Sequence, residues 1–338
     1  MKLFHRREIL LSMSSAGLGY LVANAIELTA IRMVHPSEQA LTWVSDALLA
    51  SAFGVVTYLW LHLKAARVSL SRLERARIEI DTELSLAAEI QRNNMPVVPS
   101  PHAGLRWAAR LQQAERIGGD FYDFVQPNPH TQLFLLGDIS GKGIPAALLL
   151  ASTRTLFRTL CHKSYQPAEL LDSLSVALYE ENGGSMFMTC LLGLFDLKCR
   201  TLTFVNAGHP PGLILVGARR QLLQSGGVPA GMFPSWTYTS KTVLLQPGSI
   251  GIFMTDGISE AVGGDVLESA DLIERVVSKI PRPVTPERVC ERLVQLAKEG
   301  GSPTGDGERE DDQTVLAFVL DEQGGEGDPN PAKFIHSS

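Results

Sequence analysis

Hydrophobic and polar positions fall into three regimes along this chain. Residues 9–31, ILLSMSSAGLGYLVANAIELTAI, and 41–63, LTWVSDALLASAFGVVTYLWLHL, are nearly unbroken apolar runs. At about 1.5 Å of helical rise per residue each is long enough to cross the hydrocarbon core of a bilayer, so the pattern predicts a hairpin of two transmembrane helices within residues 1–63. From Lys64 to Asn94 charges of both signs are dense and neither Gly nor Pro occurs, which predicts one long linker helix over 64–96, closed by the proline-rich MPVVPSPHAG. Leu70, Leu73, Ile80, Leu84 and Ala87 lie close to a 3-4 repeat interrupted by Arg77. Such spacing suits a short, imperfect coiled-coil seam, or an amphipathic helix lying on a globular domain.

Beyond residue 100 the pattern shortens. TQLFLLGDI, MTCLLGLFDL, TLTFVNAGH, GLILVGA, KTVLLQPGSIGIFMTDG and QTVLAFVL are apolar runs bounded by turn residues and read as strands. IPAALLLASTRTLFRTLCHK, with Pro145 in its first turn, and TPERVCERLVQLAKEG, ending on glycine, read as helices. Consecutive strands joined by short turns imply antiparallel sheets with helices packed outside, an α+β domain over 100–320. Residues 321–338, rich in Gly, Pro and charge, read as a disordered tail.

Charge decides topology and excludes some partners. Lys2, Arg6 and Arg7 precede the first apolar run, and Lys64, Arg67, Arg72 and Arg75 follow the second, whereas the connection carries only Arg32. This bias places both ends in the cytoplasm and predicts a multi-pass protein of the inner (cytoplasmic) membrane. The basic start and ANA at 23–25 also fit a cleaved signal peptide, in which case the second run stops transfer and the bulk still stays in the cytoplasm. Glu27 and Asp46 lie inside the spans, as sensing or pairing acids or as interface-facing ones. A net charge of −6 gives nucleic acid no basic footprint. Cys161, Cys190, Cys199 and Cys290 have neither zinc-site nor disulfide-framework spacing.

The candidate chemistry lies in acids. Asp120 in IGGDFYD, Asp138 in LLGDISGKG, Asp256 in FMTDGISEA, and Asp311 with Asp312 in EREDDQT each adjoin an apolar run that should be buried. Each therefore emerges where a sheet meets solvent. A single strand-end Asp is commonly a turn former or a helix cap, and Asp138 and Asp256 have that reading too. Several carboxylates meeting in one cleft repel one another unless a cation neutralises them. No base in the sequence is placed to do so, which points to bound metal. Oxygen donors without His or Cys suit Mg²⁺ or Mn²⁺, and glycine beside them lets the backbone bring in a carbonyl.

The ordered series AEIQ with a following proline, IGGDFYDF, GDISGKGIPAALLLA, FMTCLLGLFD, NAGHPPGLIL, GGVPAG, TDGISEA and DDQTVLAFV resembles the PPM class of metal-dependent serine/threonine phosphatases, and within it the bacterial SpoIIE/RsbU branch. The resemblance spans about residues 85–320 and leaves out the apolar runs. It implies a β-sandwich of two antiparallel sheets flanked by helices, with two Mn²⁺ or Mg²⁺ ions at one end. Asp138 would bridge the ions, with Asp120 and the Ile139 carbonyl on one, Asp256 and Asp311 on the other, and Asp312 behind them. Water activated by the ions would attack phosphoserine or phosphothreonine in line, without a covalent enzyme intermediate. The branch further implies a phosphorylated STAS-type anti-sigma-factor antagonist as substrate, and the coiled-coil-like linker helix suggests a homodimer. IQRNNMP is less apolar than is usual before that proline, and Ala230 replaces a bulkier residue.

Other residues have plainer readings. His209 in NAGHPP reads as a turn-stabilising residue behind the site, Arg116 as a phosphate contact or a solvated surface group, and Tyr122 with Asp123 as structural support. Lys142 in SGKG does not fit a phosphate-binding loop, since three rather than four residues separate the glycines and Gly143 follows the lysine. Two other functions stand beside the phosphatase: a catalytically silent scaffold of the same fold, and a diguanylate cyclase suggested by GGDF. The cyclase leaves the TDG and DDQT acids without a purpose.

Overall fold

The computed structural model describes residues 38–217, 219–224, 226–262, 266–300 and 311–321, with Val22, Ala25 and Ile26. The chain divides into two units, 1–82 and 83–338.

In the first unit the described residues are dominated by helix α1, Glu38–Asn93, which continues into the second unit. No break separates the apolar run at 41–63 from the charged linker. The Trp43–Asn93 stretch contains a segment long and apolar enough to cross a membrane, with none of that segment buried. The described residues thus show one long helix through the second predicted span, and the first predicted span lies outside them apart from helical Val22, Ala25 and Ile26. Along the charged half, Leu70, Leu73 and Ile80 are exposed.

The second unit is a sandwich. Its strands are β1 Leu105–Gln112, β2 Asp120–Asn128, β3 Thr131–Ile139, β4 Met188–Asp196, β5 Thr201–Ala207, β6 Gly212–Val216, β7 Arg219–Leu223, β8 Lys241–Leu244, β9 Ile250–Met254 and β10 Gln313–Leu320. One sheet runs β1-β10-β9-β6-β7 and the other β2-β3-β4-β5-β8, every pairing antiparallel. Helices α2 Ile144–Leu160 and α3 Pro167–Asn182 cover the second sheet. Helices α4 Asp256–Val262, α5 Val266–Ser278 and α6 Pro286–Gly300 belong to the first.

This layering explains the unbroken apolar runs. On β3, Leu133 and Leu135 pack under α2 and α3 while Phe134 and Leu136 face the opposite sheet. On β10, Val315 and Ala317 face the helices and Leu316, Phe318 and Leu320 face inward. A strand buried on both faces loses the polar half of its alternation. Between the sheets Trp107 meets Phe124, Phe134, Phe195 and Phe318 with ring centroids 5.1–5.4 Å apart. Glycine makes room there: a Cβ on Gly251 would come within 1.8 Å of the Phe318 ring.

Several sequence expectations change. The run from Lys241 to Gly257 is two strands in different sheets, β8 and β9, separated by a turn at Pro247–Gly248, with Gly248 at φ 81°. Helices α3, α4 and α5 and strands β1, β2 and β7 join those read from the pattern. Asp321 belongs to the fold rather than to a tail: its carboxylate pairs with Arg106 at 2.6 Å and its N–H bonds the Gly104 carbonyl at 2.8 Å. Residues 322–338 lie outside the described set. Asp123, fully buried on β2, accepts from Arg158 at 2.8 and 2.7 Å and from Arg154 at 3.4 Å, tying α2 to the sheet.

Candidate metal centre

The acids gather at one end of the sandwich because antiparallel register puts them there. Asp120, the first residue of β2, pairs with Asp138 near the end of β3, and Asp138 pairs with Thr189 on β4. In the other sheet Met254 at the end of β9 pairs with Val315 near the start of β10, so Asp256 and Asp311–Asp312 leave from the same edge. Two threonines join the sheets. Thr255 and Thr314 each donate a hydroxyl to Asp120 Oδ2, at 2.7 and 2.6 Å, and the Thr314 N–H bonds the Thr255 hydroxyl at 3.0 Å. Neither was picked out from sequence. Their only signal was position, directly before Asp256 in TDG and two residues after Asp312 in DDQT.

The electrostatics show one negative cluster. Burial, then the charges of Asp256, Asp311 and Asp312, push the Asp138 carboxyl up to about 7. Burial and then Asp138 hold Asp120 well above the usual carboxylate range, with the two threonine hydroxyls pulling the other way. Burial and then Asp311 raise Asp256. One basic group does stand here, contrary to the sequence expectation: Lys142 Nζ lies 3.6 Å from Asp311 Oδ1. Both side chains are about half exposed, so water screens the pair and the deeper charge remains. The carboxylates are electrostatic neighbours held apart. Among the described residues no three His, Cys, Asp or Glu side chains close around a common point.

The donor atoms suit a divalent cation. Asp120 Oδ1 is buried without a hydrogen-bond partner, a costly condition for a carboxylate oxygen and one a cation would relieve. A Cβ on Gly119 would lie 2.7 Å from the Ile139 carbonyl oxygen and 3.3 Å from Asp138 Oδ1, so glycine alone leaves that space open. Carboxylate and carbonyl oxygens without His or Cys are the donor types Mg²⁺ and Mn²⁺ take. In donor type the residues fit such an ion, although their side chains do not close around a common point in this structure.

The other predicted residues separate by role. Both Asp312 oxygens are engaged with the loop before β2, accepting from Ala114 N–H at 2.8 Å and Asp120 N–H at 3.3 Å. Asp312 therefore holds the loop, whereas half-exposed Asp311 faces the cluster. Asp138 does not cap α2, whose N-cap is Gly143 without a side-chain bond. Exposed Arg116 donates to the Ser85 hydroxyl of α1. His209 is buried; its N–H bonds Asn206 Oδ1 at 2.9 Å, which holds the turn, and its Nδ1 lies 2.9 Å from the Thr189 hydroxyl. Burial lowers that imidazole to about 3, so it stays neutral. Cys161 and Cys290 are buried thiols pushed up to about 12, unsuited to nucleophilic work.

Residues 128–321, more than half of the chain, match the family described as Stage II sporulation protein E (SpoIIE). The chain belongs to the SpoIIE family. Phosphoserine phosphatase RsbU of Bacillus subtilis (strain 168) is 25% identical over 197 residues, 57% of this chain and 58% of RsbU, so the chain spans less than two thirds of that relative. The SiaA-PP2C domain of Pseudomonas aeruginosa superposes with a TM-score of 0.61 at 23% identity, covering 73% of this chain and 99% of that one. RsbX, whose structure was solved in complex with magnesium, superposes with a TM-score of 0.50 at 16% identity over 67% of this chain and 99% of its own. The SpoIIE-type domain thus has the PP2C fold, and the PP2C phosphatases are a metal-dependent family.

Proposed function

We propose that this chain is a membrane-anchored phosphoprotein phosphatase acting on phosphoserine or phosphothreonine through two divalent ions, Mn²⁺ or Mg²⁺. One observation carries the proposal: Asp138 pairs with Asp120 across β2 and β3 at the sandwich edge, and its carboxyl is raised by burial and then by the charges of Asp256, Asp311 and Asp312. Asp138, Asp120, the Ile139 carbonyl, Asp256 and Asp311 would hold the ions. Ions held there would make water nucleophilic and neutralise charge on the phosphoryl oxygens. The chain's own part is to fix the oxygens in advance. Thr255 and Thr314 hold Asp120, and Asp312 holds the loop that carries it. Arg116 already donates to the Ser85 hydroxyl.

The proposed substrate is a phosphorylated STAS-type anti-sigma-factor antagonist, as expected of the branch to which the chain belongs. The proposed location is the inner membrane with two spans and a cytoplasmic catalytic domain, supported by the apolar helix and by the basic residues flanking the apolar runs. Exposed Leu70, Leu73 and Ile80 support pairing of two copies along α1. The scaffold and cyclase alternatives are not favoured beside relatives named as phosphoserine phosphatases.

The substrate is tested by comparing phosphoproteomes of cells carrying the wild-type chain and Asp138→Asn. We expect one or a few phosphoserine sites, on a small STAS-domain protein, to accumulate in the variant. Unchanged phosphoserine occupancy on every such protein would remove that substrate.

A further inference from the structure

The loop before β2 is clamped from two sides, and only one clamp belongs to the sandwich. Gly118 and Gly119 stand in succession ahead of Asp120 and both are buried. Paired glycines have the largest backbone freedom to lose, so such a segment holds one shape only when its amide groups are tied. Asp312 ties it from β10 through the Ala114 and Asp120 N–H groups. The second tie comes from the last turn of α1. Gln91, 9% exposed, donates its Nε2 to the Gly118 carbonyl at 2.8 Å and accepts the Gly118 N–H on Oε1 at 3.3 Å. One side-chain amide thus satisfies both polar groups of one buried residue. The Gln113 amide lies 2.7 Å from the same Oε1 and restrains the Gln91 rotamer.

Gly118 has nowhere to retreat. A Cβ there would fall 1.9 Å from Asp312 Oδ2, so the backbone already lies tight against the other clamp. One residue on, the Gly119 carbonyl accepts the Ile139 N–H at 3.3 Å, which links the loop to the turn bearing the Ile139 carbonyl. The end of α1 is itself fixed, since the Asn94 carbonyl accepts from Arg154, whose guanidinium also reaches Asp123.

We propose that Gln91, at the end of the long helix, is a positioning residue of the metal centre: its amide holds Gly118 so that Asp120 and the Ile139 carbonyl stand ready for an ion. The assignment rests on the metal centre proposed above. Gln91 touches neither ion nor substrate, and acts through the Gly118 peptide. Without it a buried N–H and C=O lose their partners, and the loop must open to water or shift.

The test is Mn²⁺ binding to the full chain in detergent, measured calorimetrically for wild type, Gln91→Met and, as an exposed control on the same turn, Arg92→Ala. Met preserves the stem and removes both hydrogen bonds. Outer-shell partners of metal sites typically contribute about 10- to 100-fold in affinity, and a loss in that range is expected for Gln91→Met, with Arg92→Ala unchanged. Gln91→Glu, which keeps the acceptor for the Gly118 N–H, should fall between. In the metal-free protein, hydrogen exchange in residues 114–120 should rise in Gln91→Met while β4 keeps its protection. If Gln91→Met does not fold, Gln91→Glu carries both measurements. Wild type that binds Mn²⁺ while the variants bind within twofold of it, with unchanged exchange in 114–120, overturns the role of Gln91 alone. Wild type that binds no Mn²⁺ overturns the metal centre and this assignment with it.

Discussion

Asp138→Asn should abolish ion-dependent phosphate release and at the same time make the metal-free protein more stable. The two effects share a cause. Asp138 lies among Asp256, Asp311 and Asp312 and is largely buried, which pushes its carboxyl up to about 7. An aspartate whose folded-state value lies above its unfolded one is penalised in its ionised form. The penalty is absent below the ordinary value near pH 4, grows as pH rises toward 7, and is complete above it. At pH 8, with chelator present, it amounts to a few kcal/mol at most, on the order of one to three after allowing for the partial exposure of the site. Asparagine removes the charge and the penalty together. In chelator, urea unfolding of Asp138→Asn at pH 8 should therefore give a higher stability than wild type, with the difference closing toward pH 4. With Mn²⁺ present the order should reverse, since only the wild type gains from binding. The loss in phosphate release should exceed the roughly 100-fold that marks outer-shell positions. A variant no more stable than wild type in chelator would mean that the carboxylates do not strain one another.

Arg158→Met should destabilise the sandwich by about 3 kcal/mol, the low end of the range for removing one partner of a buried ion pair. Asp123 is completely buried and receives its two short bonds, 2.8 and 2.7 Å, from Arg158, whereas Arg154 reaches it only at 3.4 Å. The arginine is half exposed and loses little by returning to water. The cost lies in the aspartate, left under α2 with one long contact and its own neighbouring N–H. Replacing Arg154 as well should add to the loss, because among the described residues Arg154 is the other guanidinium that reaches that carboxylate. Chemical denaturation of the full chain in detergent measures both variants, and a change below about 0.5 kcal/mol for Arg158→Met, the ordinary range for surface substitutions, would show that Arg154 alone suffices.

The sandwich was legible where burial on two faces leaves long apolar runs, as in β3, β4 and β10. It was illegible where one face meets water. The β1 run LRWAARLQ carries Arg106 and Arg110, and RRQLL of β7 is an edge strand with its first three residues exposed. Helices α3 and α5 mix polar and apolar positions over short lengths, so no uninterrupted run marks them.

The acids of the site could be found because each follows or precedes a buried strand. Their supporting residues could not, because Thr255, Thr314 and Gln91 reach Asp120 or Gly118 across 135, 194 and 27 positions of sequence. Adjacent acids are also indistinguishable in a string. The fold distinguishes Asp312 from Asp311 by placing the Ala114 and Asp120 N–H groups on Asp312. Lys142 lacks the spacing of a phosphate-loop lysine, and no spacing rule places it beside Asp311.

The central claim is that these oxygens hold divalent ions that drive hydrolysis of a phosphorylated hydroxyl. Phosphate release from a phosphoserine peptide by the full chain in detergent, followed while Mn²⁺ is added to chelator-treated protein, tests it most directly. Release that is absent in chelator, rises to saturation with Mn²⁺ and is missing in Asp138→Asn is the predicted result. Release that proceeds equally in chelator, or that survives in Asp138→Asn, would contradict it.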